Sequence, residues 1–167
     1  MIRRAGYEDL PALLRLYAAA REFMASQGNP TQWGSVSPAK ELLEEDIRTG
    51  RLYVCERQGR LCGAFAFPVG EDPTYERIEE GAWLDHTPYG TIHRLAGDGG
   101  ESGIFSECLS WCRERIGYIR IDTHENNVIM RHLIEKNGFV RCGIIHVADG
   151  SPRIAYEWIE DEQKGLR

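Results

Sequence analysis

Leu10, Leu13, Leu14, Tyr17 and Met24 recur at helical spacing, which gathers them onto one face. They predict a helix across "EDLPALLRLYAAAREFMASQGNP", capped by Asp9 and stopped by Gly28 and Pro30. "SPAKELLEEDIRTG" reads as a second helix. Ser37 is its expected cap, Pro38 suits the first helical position, acids crowd the early turns and Gly50 follows the end. "MIRRA" starts a strand, and "RLYVCERQGRLCGAFAFPVG" reads as a hairpin that turns at "RQGR". After an irregular stretch with Pro73 and Pro88, "YGTIHRLAG" is predicted as one strand. Helical periodicity returns with Ile104, Phe105, Cys108, Leu109, Cys112 and Ile116 on one stripe, and "YIRIDTH" then alternates as a strand. "NNVIMRHLIEKNG" is predicted as a helix with Ile129, Met130, Leu133 and Ile134 inward, an Asn cap and Gly138 at its end. "FVRCGIIHVADG" and "PRIAYEWIE" close the chain as two strands turning at Asp149-Gly150.

The order β-α-α-β-β-irregular-β-α-β-α-β-β places the chain in the α/β (α+β) class. The expectation is a mixed, mostly antiparallel central sheet of about six to seven strands with helices on both faces. No internal repeat, low-complexity tract or linker interrupts residues 1–167, so a single domain is expected.

Composition narrows the partners. Apolar residues make up 42% of the 167 and charged ones 28%, with mean hydropathy −0.42, as in soluble globular proteins. Net charge is −6 with acids and bases interspersed, so the basic stripe that nucleic acid requires is missing. A small polyphosphate ligand remains possible, because backbone amides can hold one. There is no apolar run long enough for a membrane span, and "MIRRAGYEDL" lacks the apolar stretch of a signal peptide; a cytoplasmic protein is expected. Five cysteines form no Cys-x-x-Cys pair and sit in apolar patterns, as reduced buried thiols do. Cys108 and Cys112 share a helix face but lack a second ligand pair, and no metal is expected.

"RLAGDGGESGIFSECLSWC" carries the most chemistry. It passes from a strand through Gly97, Gly99, Gly100 and Gly103 into a helix. Such a turn presents successive N–H groups and the positive end of the helix dipole to an anion. It reads equally as a flexible corner.

The element order and the stretch "IRIDTHENNVIMRHLIEKNGFVRCGII" resemble the GNAT superfamily of acyl-CoA N-acyltransferases, over essentially the whole chain. The most specific part is the spacing from Asn127 to Gly138-Phe139, which matches the family's second cofactor motif. Its first motif, Arg/Gln-x-x-Gly-x-Gly/Ala, falls on Gly100–Phe105. Only Gly103 matches; Gly100 stands where a basic or amide residue is usual, and Phe105 replaces a small one. The resemblance implies acetyl-CoA as co-substrate, no metal, and direct attack of a primary amine on the thioester in a ternary complex. The acceptor expected is a small-molecule or amino-acid-like amine, and the protein a monomer or homodimer. The alternative is a non-catalytic acyl-CoA-binding or sensor module on the same fold.

By the same resemblance, Leu95, Gly97, Gly100, Glu101, Ser102, Gly103, Ile104 and Asn127 contact the cofactor. The Leu95 amide is expected to polarise the thioester carbonyl, beside a bulge in the strand that precedes the glycine-rich turn. Asn127 also suits a helix N-cap. The family's tyrosine acid is replaced by Ile134, so a water or another hydroxyl must serve the leaving thiolate. His93 is the candidate base by residue type. Trp33, His93, Asp122 and His124 are the candidate acceptor-site residues; Trp33 reads either as an aromatic wall or as a plug over the core edge.

Overall fold

Gln58 and Gly59 take φ values of 53° and 74°, the paired left-handed conformation that lets a two-residue loop follow the strand twist. The hairpin read at "RQGR" therefore forms in the computed structural model, which describes residues 1–100 and 102–161. Along these residues the elements are β1 (Ile2–Arg4), α1 (Leu10–Ser26), α2 (Lys40–Arg48), β2 (Leu52–Arg57), β3 (Arg60–Ala66), β4 (Gly90–Thr91), β5 (His93–Gly97), α3 (Ile104–Arg113), β6 (Tyr118–Thr123), α4 (Val128–Lys136), β7 (Val140–His146) and β8 (Pro152–Ile159). They make up two units. Met1–Phe67 with His93–Trp111 form one; Pro68–Ile92 with the chain from Cys112 onward form the other.

The first unit is built on a four-stranded antiparallel sheet in the order β1-β2-β3-β5. Leu13, Leu16 and Tyr17 of α1 and Leu43 and Ile47 of α2 are buried in one cluster with Leu52, Val54, Ala64, Ala66 and Ala96 of the sheet. The helical face read from the sequence is the face that packs. Its predicted cap is not: the Asp9 side chain bonds no helix amide. It accepts from the Gly6 N–H at 2.8 Å and from both Arg3 guanidinium nitrogens at 2.8 and 2.9 Å. A bidentate guanidinium and the Gly6 amide together hold the carboxylate away from the amides of α1. Nor does Ser37 cap α2. Ala39 is extended, with ψ 151°, and the helix starts at Lys40.

The second unit holds the order β4-β6-β8-β7, parallel between β4 and β6 and antiparallel elsewhere. The mixed, mostly antiparallel pairing expected from the sequence is thus found, arranged as two four-stranded sheets. Tyr75, Trp83, Tyr89, Tyr118, Cys142, Ile145, Ala155 and Ile159 form its core. A buried polar chain runs through it: Arg120 Nε donates to Tyr118 Oη at 2.9 Å, and that hydroxyl donates to Glu157 at 2.7 Å. The Arg120 guanidinium lies 3.9 Å from the Trp83 ring centre and 4.0 Å from that of Tyr89. Charge, hydrogen bond and ring faces together satisfy a cation that would be costly to bury alone.

Two expectations change here. "YGTIHRLAG" is not one strand but two, with β4 in the second sheet and β5 in the first. On α4, Ile134 is fully buried and Met130 and Leu133 are half-buried, but Ile129 is exposed. The apolar stripe is narrower than the run of apolar residues suggests, since that run spans more than one helix face.

Candidate active site

β5 breaks its own ladder. His93 pairs with Ala66 and Ala96 with Ala64, so Arg94 and Leu95 together face Phe65 alone, with no register partners of their own. That is a β-bulge. Arg94 has φ 52°, a left-handed conformation that a non-glycine residue adopts at a cost of about 1–2 kcal/mol. Two residues hold it there. The buried Tyr17 hydroxyl, on α1, donates to the Arg94 carbonyl at 2.7 Å. Asp46, fully buried on α2, accepts from Arg94 Nη2 at 2.6 Å and Nε at 3.1 Å. Its other oxygen accepts from Arg51 Nε at 2.7 Å. The expected bulge is present; the sequence marks Tyr17 only as part of the apolar face of α1 and does not mark Asp46 as a site residue. A residue pair 48 apart along the chain leaves no local signal.

Beyond the bulge, Gly97 to Gly103 carry the chain from β5 into α3. Gly99 and Gly103 have φ of 79° and 78°, and a Cβ at either would meet no atom within 4 Å. These glycines serve backbone conformation and leave open space above the turn. Gly63 on β3 serves close approach instead. A Cβ there would stand 2.7 Å from Ile104 Cγ2, so its absence seats the first residue of α3 on the sheet. Ile104, Phe105, Cys108 and Leu109 are buried beneath it.

The Gly100 N–H donates to Asp98 Oδ1 at 2.9 Å, and Asp98 Oδ2 accepts from Arg60 Nη1 at 2.7 Å. Arg57 Nη1 donates to the Ser102 carbonyl at 3.1 Å, while its Nη2 pairs with Glu107 at 2.6 Å. The Arg57 guanidinium is the main reason that the Glu107 carboxyl is held below its usual range. The basic side chain missing at Gly100 is therefore supplied nearby by two arginines flanking the β2–β3 turn. A carboxylate already occupies an amide of the turn as a phosphate oxygen would. This donor set of backbone N–H groups, open glycines and flanking guanidiniums suits a diphosphate. Glu101, also expected here, lies outside the described residues.

The remaining candidates divide between the units. In the first, His93 is half-buried on β5 next to the bulge, and half-buried Trp33 packs edge-on against Tyr17 with ring centres 5.6 Å apart. Trp33 also lies against the core cluster, the plug of the two readings. In the second unit, Asp122 on β6 accepts from the Tyr75 hydroxyl at 2.6 Å. His124 Nδ1 accepts from the Asn126 N–H at 3.0 Å, and desolvation, helped by Arg153, lowers its pKa. Its ring closes a turn. Asn127 caps α4, its Oδ1 accepting from the Met130 N–H at 3.2 Å. Among the described residues no group of His, Cys, Asp and Glu is placed to hold a metal, and no helix is long and apolar enough to cross a membrane.

No family model and no curated protein matches the chain. Solved structures do. An acetyltransferase of the GNAT family from Streptococcus agalactiae is 29% identical over 96% of this chain and 95% of its own, with a TM-score of 0.85. A GNAT-family acetyltransferase from Listeria monocytogenes is 20% identical over 95% and 94%, with a TM-score of 0.70. The ribosomal-protein-alanine N-acetyltransferase of Brucella melitensis is 22% identical over 95% and 99%, with a TM-score of 0.62; these last two share the fold. In its element order and its bulged strand the chain has the fold of these structures, and over nearly its whole length it is similar to a GNAT-family acetyltransferase.

Proposed function

We propose that this protein transfers the acetyl group of acetyl-CoA to the primary amine of a small-molecule or amino-acid-like acceptor, by direct attack within a ternary complex. The observation that supports it best is the bulge at Arg94–Leu95 leading directly into the open glycine turn. When bound, acetyl-CoA supplies an activated acyl group. The turn from Gly97 through Gly100, Ser102 and Gly103 to Ile104 would hold its diphosphate by main-chain N–H groups, with Arg60 and Arg57 adding charge. Leu95, which has no register partner on β3, would donate its N–H to the thioester oxygen as negative charge gathers there. His93 would take the proton of the attacking amine. Asn127, Asp122, His124 and Trp33 remain the candidates for further cofactor and acceptor contacts.

A second reading, an acyl-CoA-binding module without turnover, is favoured by one observation. Ile134, at the place of the family's tyrosine acid, is an apolar side chain and fully buried. Acyl transfer without that acid is still feasible, because a thiolate leaves as a modest base.

Free-thiol release from acetyl-CoA across a panel of primary amines, beside a thermal-shift titration with coenzyme A, separates the two. The similar Brucella protein is named for a protein acceptor, so the panel includes a peptide with N-terminal alanine. Turnover on a small amine supports transfer as proposed. Turnover on the peptide alone moves the acceptor class to proteins, and stabilisation without turnover leaves the binding module.

A further inference from the structure

We infer that Tyr17 and Asp46 are positioning residues for the Leu95 amide, acting through the left-handed backbone of Arg94; this rests on the proposed role of that amide. The direction in which the Leu95 N–H points depends on the peptide joining it to Arg94, so the φ of 52° at Arg94 orients the donor. Arginine adopts that conformation only at a cost. Two long-range contacts hold it, one at each end of the residue. The Tyr17 hydroxyl takes the carbonyl at 2.7 Å, which is the carbonyl of the same Arg94–Leu95 peptide. Asp46 takes the guanidinium through two nitrogens and is itself fixed by Arg51. Both contacts come from helices packed on the sheet's core, and both partners are fully buried. A backbone strained at the centre of a proposed site, and held from both sides by buried groups, is how a donor is fixed before the reaction starts.

The test needs no acceptor. The carbonyl stretch of carbon-13-labelled acetyl-CoA, free and bound at saturation, reports polarisation of the thioester in the binary complex. The wild-type band should move to lower frequency. Tyr17→Phe keeps the ring packed on Trp33 and should lose at least half of that displacement, while coenzyme A affinity stays within about twofold. Arg94→Gly and Arg94→Val both discard the guanidinium but differ in tolerance of φ 52°. Glycine should keep most of the displacement and valine should lose it. Equal bands for the two, or an unchanged band in Tyr17→Phe, would overturn the positioning role. A wild-type band that does not move on binding would instead remove the Leu95 reading, and the inference with it.

Discussion

The Asp46 carboxylate, buried completely on α2, takes the Arg94 guanidinium at 2.6 Å on one oxygen and Arg51 at 2.7 Å on the other. One acid thus pairs with two arginines, and one of them carries the only described arginine backbone with positive φ. Asp46→Ala removes the shared partner and leaves a half-desolvated guanidinium. We expect a loss of about 3 kcal/mol, the low end for a broken buried pair because both arginines retain some exposure. That corresponds to a fall in Tm of about 6–12 °C, read by calorimetry. Arg51→Ala, which leaves the Arg94 contact in place, should cost less than half as much.

Gly103 offers a cleaner test of backbone conformation. A methyl group there meets nothing, so Gly103→Ala changes only the cost of φ 78°. Stability should fall by about 1 kcal/mol, a Tm lower by about 2–4 °C. Coenzyme A should bind several-fold more weakly by calorimetric titration. At Gly63 the same substitution drives a methyl into Ile104 and should cost more, since α3 must move off the sheet.

Asp98 competes with any anion for the turn. It accepts the Gly100 N–H and leans on Arg60. Asp98→Asn removes a negative charge at the turn, worth roughly 1 kcal/mol at a partly exposed site, so coenzyme A affinity should rise about fivefold. Arg60→Ala should lower it by a similar factor, and the difference between the two should shrink in high salt.

What the chain reveals without its structure is set by the range of the interactions involved. Helix α1, the β2–β3 hairpin and the Asn127 cap were legible because each is written within a few residues: a period, a positive-φ pair, a capping side chain. The glycine turn was legible as a candidate cradle for the same reason. What pins it was not. Tyr17, Asp46, Arg57 and Arg60 reach β5 or the turn from distant parts of the chain, and nothing in their own surroundings marks them. The split of "YGTIHRLAG" into two strands was hidden too, because a strand that changes sheets keeps its β-prone composition throughout. Asp9 misled the reading of α1 because a capping residue type is also a good arginine partner.

Ile134 makes a sharp prediction about the missing acid. Its side chain is wholly buried in the second unit, so Ile134→Tyr would overpack the core instead of presenting a hydroxyl. The variant should lose about 1–3 kcal/mol by urea denaturation and gain no thiol-release activity.

All five cysteines are free and buried. Burial pushes the Cys55 and Cys142 thiols up to about 12, and a thiolate is the reactive form. At pH 8 the folded protein should therefore react with a disulfide reagent far more slowly than released coenzyme A does. All five thiols should become titratable in denaturant. Prompt reaction of native cysteines would contradict the packing of β2, β3 and α3.

The most direct measurement is the amide spectrum of nitrogen-15-labelled protein titrated with acetyl-CoA. The largest movements are expected at Leu95, Gly97, Gly100, Ser102, Gly103 and Ile104, with Gly100 exchanging its Asp98 partner for the ligand. A titration that saturates while those six resonances stay where they were would contradict the proposed binding at this turn.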